Sequence, residues 1–215
     1  MKSNRILIAD DHSIVRSGLK LVTKEILPWA DIDEAPNGDE VISLIKKNHY
    51  SLIILDLNMP DTDSISLVSN LMAYRQGIRI LIFTINPESL YAKRYLKMGV
   101  RGYLGKDCDA SELKSAIHSV LEGRSYTSHS FKEYLRGDTV PGRKDNPFEK
   151  LSNREIQIAK YFLLGYSYSE IQKILNVHSS TIGTLKMRLF GKLNIKTVFD
   201  LGELARLYNL DPSTF

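Results

Sequence analysis

The chain has little cysteine and no long apolar run, and both absences narrow its possible functions. The single Cys108 cannot form an intramolecular disulfide, and the 5 histidines lack the spacing of a structural zinc site. No apolar stretch approaches the roughly 20 residues that cross a bilayer. Residues 1–5 lead straight towards a strand-like run without the features of a signal peptide. We therefore expect a cytoplasmic protein with no membrane association, and neither redox nor zinc-finger chemistry is favoured.

Composition is that of an ordinary globular protein. The 215 residues are 43% hydrophobic and 25% charged, which leaves room for two modest domains. A net charge of +4 and a pI near 9.0 permit a polyanionic partner, although many basic proteins bind no nucleic acid.

Two short apolar runs end abruptly in carboxylates. Leu52 to Leu55 is followed by Asp56, and Arg5 to Ala9 is followed by Asp10 and Asp11. Runs of this length and composition are typical of buried strands in a parallel sheet. Ligands of open α/β sheets gather outside the carboxyl ends of the strands. The carboxylates are therefore predicted to meet at one edge of a sheet.

Strand-like and helical patterns alternate over the first 121 residues. The predicted strands are 5–9, 32–35, 52–55, 79–83 and 102–105, and the predicted helices are 13–26, 39–47, 65–74, 88–98 and 111–121. This alternation predicts an α/β fold with a doubly wound, five-stranded parallel sheet. It also brings Thr84 and Lys106, which follow the fourth and fifth strands, to the edge that carries the acids.

The chemistry of this edge indicates phosphoryl transfer. Three clustered carboxylates repel one another unless a cation lies among them, and Mg²⁺ prefers such oxygen ligands. A carboxylate beside Mg²⁺ can attack phosphorus and form an aspartyl phosphate. Lys106 and the Thr84 hydroxyl could then hold the phosphoryl oxygens.

Residues 4–122 resemble the receiver domain of two-component response regulators, which has a flavodoxin-like fold. The matching residues are Asp10, Asp11, Asp56 followed by Met59 and Pro60, Thr84, Tyr103 and Lys106. The resemblance implies that Asp56 is the phosphoacceptor for a sensor histidine kinase. It also implies that Mg²⁺ is held by Asp11, Asp56 and the backbone carbonyl of Asn58, with Asp10 acting partly through water. On phosphorylation Thr84 and then Tyr103 would turn inward and remodel the surface of the fourth helix, fifth strand and fifth helix.

Three positions depart from the usual receiver pattern. Ser64 stands where the family has glycine, so a positive φ there would be strained. Asp107 replaces the proline that often follows the lysine, and no cis peptide bond is expected there. Ile85 and Asn86 replace the small residue that commonly follows Thr84, which would narrow the pocket.

The second half divides into a tether and a helical region. Residues 124–148 contain Gly137, Pro141, Gly142 and Pro147 among polar residues, which is typical of a linker. We therefore expect a receiver at 1–123, a linker at 124–148 and a further domain at 149–215. In the last of these, capping boxes begin at Ser152 and Ser167. The pattern predicts an all-α domain of four helices that contains a helix-turn-helix.

This region resembles the LuxR-type DNA-binding domain, so the whole chain resembles response regulators of the NarL/FixJ class. The resemblance rests on Leu151, Ser152, Arg154, Glu155, Gly165, Glu170, Ile171, Leu175, Thr181, Ile182, Leu189, Lys192 and Leu193. The third helix would enter the major groove of a double-stranded promoter operator. Its candidate DNA-binding residues are Ser180, Thr181, Gly183, Thr184, Lys186, Met187, Arg188 and Lys192. Thr184 and Met187 suit thymine methyl groups, whereas the basic side chains suit phosphates.

Three of this domain's residues leave the DNA target open. Tyr168 and Leu185 stand where the family has asparagine and histidine, and Gly183 weakens the recognition helix by up to about 1 kcal/mol. The fourth helix, from Val198 to Asn209, carries an apolar set that could complete the core or join two subunits. In the family it dimerises, so we expect a homodimer on phosphorylation or on DNA.

The sequence thus predicts a phosphorylation-dependent transcription regulator that is not an enzyme beyond its own phosphorylation and dephosphorylation. One alternative is a response regulator whose last domain binds protein. Another is a Mg²⁺-dependent phosphohydrolase with an aspartyl nucleophile. Such hydrolases commonly carry a second acid two residues after the nucleophile, where this chain has Asn58.

Overall fold

The computed structural model describes residues 5–74, 77–129, 131–132, 146–208 and 210. The chain divides into two compact units, Met1–Asp138 and Thr139–Phe215. Within the described residues no helix is both long enough and apolar enough to cross a membrane.

The first unit is a parallel sheet with helices on both faces. Its strands are β1 (Arg5–Ala9), β2 (Asp31–Ala35), β3 (Leu52–Leu55), β4 (Ile80–Thr84) and β5 (Gly102–Gly105), in the order β2-β1-β3-β4-β5. Its helices are α1 (Ser13–Ile26), α2 (Gly38–Lys47), α3 (Ser64–Tyr74), α4 (Glu88–Lys97) and α5 (Ala110–Leu121). All four strand pairs are parallel. The predicted doubly wound, five-stranded sheet is confirmed.

Alternate side chains of the strands bury both faces of this sheet. Ile6, Ile54 and Phe83 pack on one face with Leu19 of α1 and Ile117 of α5. Their strand neighbours, which point the other way, are buried as well, and all of Leu52–Leu55 is inaccessible. A strand buried on both faces reads as a continuous apolar run, which explains why these strands could be recognised in the sequence.

The backbone ladder continues one residue beyond the strands. The Asp56 amide donates to the Ala9 carbonyl at 2.8 Å, the Asp10 amide to the Ala35 carbonyl at 3.0 Å, and the Lys106 amide to the Thr84 carbonyl at 2.9 Å. Because these bonds fix the register of neighbouring strands, Asp10, Asp56, Thr84 and Lys106 arrive at the same edge.

The chain continues along β5 after α5. The Tyr126 amide donates to the Arg101 carbonyl at 2.8 Å, and the Tyr103 amide donates to the Tyr126 carbonyl at 3.1 Å. The first described part of the predicted linker therefore packs against the sheet. Residue 130 and residues 133–145 of that linker lie outside the described residues, and the domain boundaries at 123 and 148 remain a prediction.

The second unit is helical throughout its described part. A 3-10 helix (Pro147–Lys150) precedes α6 (Asn153–Leu163), α7 (Tyr168–Leu175), α8 (Ser179–Leu193) and α9 (Val198–Leu207). The capping boxes Ser152–Glu155 and Ser167–Glu170 are confirmed, and a third, Thr197–Asp200, starts α9. The predicted end of the fourth helix, Asn209, lies outside the described residues.

A left-handed residue makes the turn of the helix-turn-helix. Asn176, with φ 49°, ends α7, and a short side chain of this type tolerates that conformation. The next helix, α8, starts three residues later in the sequence, at Ser179, with His178 as its N-cap. Ile171 and Ile182 from the two helices are both fully buried, so the turn places the apolar stripe of α8 in the core of this unit.

Candidate functional site: a phosphoacceptor edge and a recognition helix

Lys106 joins two of the predicted acids at the sheet edge. Its Nζ lies 2.7 Å from Asp10 Oδ2 and 2.8 Å from Asp56 Oδ2, and both carboxylates are almost fully buried. Burial lowers the pKa of Lys106, but its hydrogen bonds to Asp10 and Asp56 outweigh this, so the pKa lies above its usual value. The lysine is therefore a cation at neutral pH and offsets the charge of the acids.

The loop from β1 to α1 is braced by two residues that sequence reasoning did not single out. Arg16 Nη1 donates to the backbone carbonyls of Asp10 at 2.7 Å and Asp11 at 3.2 Å. The His12 amide donates to Asp10 Oδ1 at 2.9 Å, while His12 Nδ1 lies 2.8 Å from Asp11 Oδ1. Their proximity in sequence to the acid pair was the only available signal.

The acids leave oxygen atoms that could hold a hard cation. Asp56 Oδ1 is buried and lacks a hydrogen-bond partner among the described residues. Ligand atoms of Asp10, Asp11 and His12 all lie within 4.8 Å of one another. Because a buried, unpaired carboxylate oxygen is unfavourable, the geometry fits a site that a cation or an incoming group would complete.

An amide cluster connects the loop after β3 to the end of β4. Asn58 Nδ2 donates to Asn86 Oδ1 at 3.0 Å and to Thr84 Oγ1 at 3.3 Å. The Tyr103 hydroxyl donates to the Asn86 carbonyl at 2.9 Å, and burial raises the pKa of Tyr103 well above its usual value. Asn86 was noted in the sequence only as a departure, yet it links the other three residues.

Thr84 and Tyr103 are both fully buried in this structure. Both side chains therefore already lie inside the domain, so the inward movement expected after phosphorylation would start from buried positions. Ser64 does not adopt a positive φ, so the strain that such a conformation would carry does not arise. Asp61 is the residue of this loop with positive φ, at 51°, whereas Ser64 begins α3 and pairs its hydroxyl with that of Tyr95 at 2.9 Å. The Lys106–Asp107 peptide bond is trans, as expected.

The start of α4 contacts the segment that follows α5. The Ser128 hydroxyl and amide both donate to the carboxylate of Glu88, the amide at 3.1 Å. Burial raises the pKa of Glu88, and the two bonds from Ser128 partly offset that rise. Since Glu88 lies two residues after Asn86, this contact joins the phosphoacceptor edge to the beginning of the predicted linker.

The recognition helix α8 presents most of its predicted DNA-binding residues to solvent. The exposed ones are Ser180, Thr181, Thr184, Met187, Arg188 and Lys192, while Gly183 and Lys186 are partly buried. Met187 is 71% exposed, which is unusual for an apolar side chain of its size. Opposite this surface Ile182, Leu189 and Leu193 are buried, so the helical periodicity identified the correct outer face.

Two predicted phosphate-binding lysines have partners inside the domain. Lys192 Nζ lies 2.7 Å from Oε2 of Glu155, a carboxylate on α6 that is 2% exposed as a residue. Lys186 Nζ lies 5.4, 5.3 and 5.1 Å from the ring centroids of Phe162, Tyr168 and Phe190. Tyr168, which replaces the family's asparagine, thus belongs to an aromatic surround of Lys186.

The apolar set predicted on the fourth helix is buried or partly buried, and its members are Val198, Leu201, Leu204, Ala205 and Tyr208. Leu201 and Ala205 are buried in the core of their own unit. Two further apolar residues of α9 that were not in the predicted set, Phe199 and Leu207, are instead 75% and 73% exposed. An interface on this helix would therefore use the latter pair.

The fold and the two sites together define a class of protein: a phosphoacceptor receiver combined with a helix-turn-helix. Residues 6–118 match the response regulator receiver domain, and residues 149–205 match the bacterial regulatory proteins of the luxR family. Since the receiver match alone covers more than half of the chain, the protein belongs to the two-component response regulators, in the NarL/FixJ class. The members of this family are transcription regulators and not typical enzymes.

Several relatives match along nearly their whole length. The response regulator UvrY of Escherichia coli K12 is 27% identical over 206 residues, covering 95% of this chain and 94% of that protein. The virulence-factor transcription regulator BvgA of Bordetella pertussis is 30% identical over 210 residues, covering 96% and 99%. Among solved structures, RcsB of Salmonella enterica serovar Typhimurium bound to the P1flhDC promoter is 25% identical, with a TM-score of 0.67 and coverage of 94% and 98%.

Proposed function

We propose that this protein is a transcription regulator whose affinity for promoter DNA is set by phosphorylation of Asp56 by a sensor histidine kinase. The observation that carries the proposal is the state of the Asp56 carboxylate. Oδ2 is held by Lys106 at 2.8 Å, while the buried Oδ1 has no hydrogen-bond partner in the described part of the chain. A carboxylate held on one side and free on the other suits in-line attack on a phosphoryl group.

Asp56 would form an oxygen–phosphorus bond as the bond between phosphorus and the donor's histidine nitrogen breaks. Bound Mg²⁺ would supply charge neutralisation for the acids and the phosphoryl oxygens. The residues proposed to hold it are Asp11, Asp56 and the backbone carbonyl of Asn58, with Asp10 acting partly through water. Arg16 would keep the loop from β1 to α1 in place through its bonds to the backbone carbonyls of Asp10 and Asp11.

Lys106 and Thr84 are proposed to hold the transferred group. The ammonium of Lys106 has three donors, so it can keep one carboxylate contact while it binds a phosphoryl oxygen. Thr84 Oγ1 lies 3.3 Å from Asn58 Nδ2 and 3.4 Å from the Asn86 amide. If Thr84 moved to bind a phosphoryl oxygen, its hydrogen bond with Asn86 would change, and so would the bond from the Tyr103 hydroxyl to the Asn86 carbonyl. The Glu88–Ser128 contact offers the next connection towards the linker.

The helix α8 is proposed to bind the major groove of double-stranded operator DNA. Its outer face would contact bases, and exposed lysines near it, Lys173 and Lys196, would contact phosphates. We propose that the exposed Phe199 and Leu207 of α9 join two copies, so that the dimer reads paired half-sites. A cytoplasmic location follows for a protein that works on promoters.

A Mg²⁺-dependent phosphohydrolase is the less favoured alternative. The proton donor of such a hydrolase would be expected two residues after Asp56, at the position of Asn58. An asparagine side chain is not an acid, and here its amide donates hydrogen bonds to Asn86 and Thr84. An output domain that binds only protein is less favoured because the exposed face of α8 lies on the second helix of a helix-turn-helix.

Labelling with a small acyl phosphate tests the phosphoacceptor. With Mg²⁺ present, mass spectrometry should find one phosphoryl group on the parent chain and none on Asp56→Asn, with slow loss of the label on standing. Equal labelling of the variant would contradict the assignment of Asp56. Turnover of many acyl phosphates per chain would support the hydrolase instead.

A further inference from the structure

The charge on the proposed recognition helix is partly neutralised within the domain. The helix α8 contains three basic residues, Lys186, Arg188 and Lys192. Both lysines contact groups within this domain, on α6, α7 and α8 itself, whereas Arg188 is exposed. This bears on what kind of DNA surface the helix can recognise.

Lys186 lies among three aromatic rings. Its Nζ is 5.3 Å from the Tyr168 ring centroid, 5.4 Å from that of Phe162 and 5.1 Å from that of Phe190. Phe162 and Tyr168 also contact each other, with centroids 5.5 Å apart. An ammonium within about 6 Å of a ring is attracted to its face, and three rings add to that attraction. Lys186 therefore helps to hold α8 against α6 and α7, and it would lose these contacts if it extended to a phosphate.

Lys192 is committed even more strongly. Its Nζ is the only cation that contacts the carboxylate of Glu155 among the described residues, at 2.7 Å, and that carboxylate is almost completely buried. Moving Lys192 to a DNA phosphate would leave a buried carboxylate without its counter-ion, which is strongly unfavourable. The ion pair should therefore persist when DNA binds.

The exposed surface that remains combines one large apolar side chain, Met187, with small hydroxyl-bearing residues and Arg188. Met187 is 71% exposed, and the Thr184 hydroxyl already donates to the Ser180 carbonyl at 2.9 Å, so towards a partner it can only accept a hydrogen bond, while the Thr184 methyl group is available for apolar contact. A shallow depression on this helix is lined by Ser180, Thr181, Thr184, Leu185 and Arg188. Apolar side chains in the major groove contact the 5-methyl group of thymine.

We infer that α8 selects its DNA target by thymine methyl groups, through Met187 and Thr184, with Arg188 as its single mobile cation. This inference rests on the proposed function, since it names the class of DNA site that the same helix would take. It assigns Lys186 and Lys192 to positioning the helix rather than to contacting the phosphate backbone. The preferred half-site is accordingly rich in thymine where it faces Met187 and Thr184.

The test starts from duplexes selected from a random library by the full-length chain treated with acetyl phosphate and Mg²⁺. Each thymine of a selected duplex is then replaced by deoxyuridine, which removes only the 5-methyl group. At one or two positions the dissociation constant should rise about fourfold, the factor that corresponds to burial of one methyl group. With Met187→Ala the effect at one of these positions should disappear, as expected for two groups in contact.

A salt titration distinguishes the role of the cations. Arg188→Met should reduce the slope of log affinity against log salt by about one, whereas Lys186→Met, which removes the same charge from the same helix, should leave the slope unchanged. Insensitivity to deoxyuridine at every thymine would overturn the inference, as would an equal loss of slope in both variants. The deoxyuridine series needs no variant, so a folding defect cannot obscure it. Failure to select any duplex would instead count against DNA binding itself.

Discussion

Replacing Lys192 by methionine should loosen the helix-turn-helix because it removes the counter-ion of Glu155. In the parent chain Glu155 Oε2 accepts bonds from the Ser152 amide at 2.6 Å, the Ser152 hydroxyl at 2.9 Å and Lys192 Nζ at 2.7 Å. The Glu155 side chain is 3% exposed and that of Lys192 is 41% exposed. Water therefore screens the lysine but not the carboxylate.

The magnitude follows from this asymmetry. A hydrogen bond to a charged group contributes about 1.5–3 kcal/mol, and the exposed side of the pair reduces that contribution towards its lower end. We expect a loss of about 2 kcal/mol, which corresponds to a roughly 30-fold increase in the opening equilibrium of the domain. Amide hydrogen exchange of the full-length chain, followed by mass spectrometry of peptides from α6 and α8, measures this directly.

The effect should depend on pH. Burial raises the pKa of Glu155, but the bonds from Lys192 and Ser152 outweigh it and keep the pKa below its usual value. Because the folded pKa is lower than the unfolded one, the stabilisation is present above the ordinary glutamate value of about 4.3 and is lost as the pH falls through the folded pKa. The difference between the parent and Lys192→Met should thus be full at pH 7 and shrink below about pH 4, after correction for intrinsic exchange rates.

A matched control is Lys196→Met, which removes an exposed positive charge from the same unit. It should leave exchange in α6 and α8 within about twofold of the parent, because exposed charges contribute little to stability. Parent-like exchange in Lys192→Met at pH 7 would refute the reasoning. So would a difference between the two chains that is the same at pH 7 and at acid pH.

Two further changes test the recognition helix and the acid loop. Gly183→Ala should stabilise α8 by up to about 1 kcal/mol in urea unfolding, because the added Cβ meets nothing within 4 Å and alanine favours the helix; unchanged or lower stability would contradict this. Arg16→Met should weaken Mg²⁺ binding at least tenfold in an NMR titration, because the carbonyls of Asp10 and Asp11 lose their donor. Arg16 and Lys20 both pair with the carboxylate of Glu34, at 2.9 and 3.3 Å, so Lys20→Met is the control; equal Mg²⁺ affinities in the two variants would exclude a positioning role for Arg16.

The arrangement at the sheet edge could be predicted because strand ends and register follow from local patterns. A buried strand read from four apolar residues necessarily places Asp56 at its tip, and a parallel neighbour places Asp10 beside it. Arg16 and Asn86 could not be found in this way, because their roles depend on side-chain contacts that no periodicity encodes. Ser64 was judged from the family's glycine, and the chain instead places the left-handed residue at Asp61.

The recognition helix illustrates the same limit. Helical periodicity identified Thr184 and Met187 as exposed, since only the apolar stripe decides which face is buried. It could not show that Lys192 is paired with Glu155, which lies 37 residues earlier in the sequence. Lysines on a predicted DNA-binding face were therefore all assigned to phosphates, although long side chains are the ones most able to reach partners inside the domain.

The most direct test of the account is operator affinity with and without phosphorylation of Asp56. Full-length parent chain and Asp56→Asn are each titrated onto one selected duplex, before and after treatment with acetyl phosphate and Mg²⁺. If phosphorylation of Asp56 sets the affinity for DNA, treatment should change the affinity of the parent but not that of Asp56→Asn, and the response should be lost when Mg²⁺ is chelated. An equal response from Asp56→Asn, or a parent whose affinity is the same in both states, would contradict it.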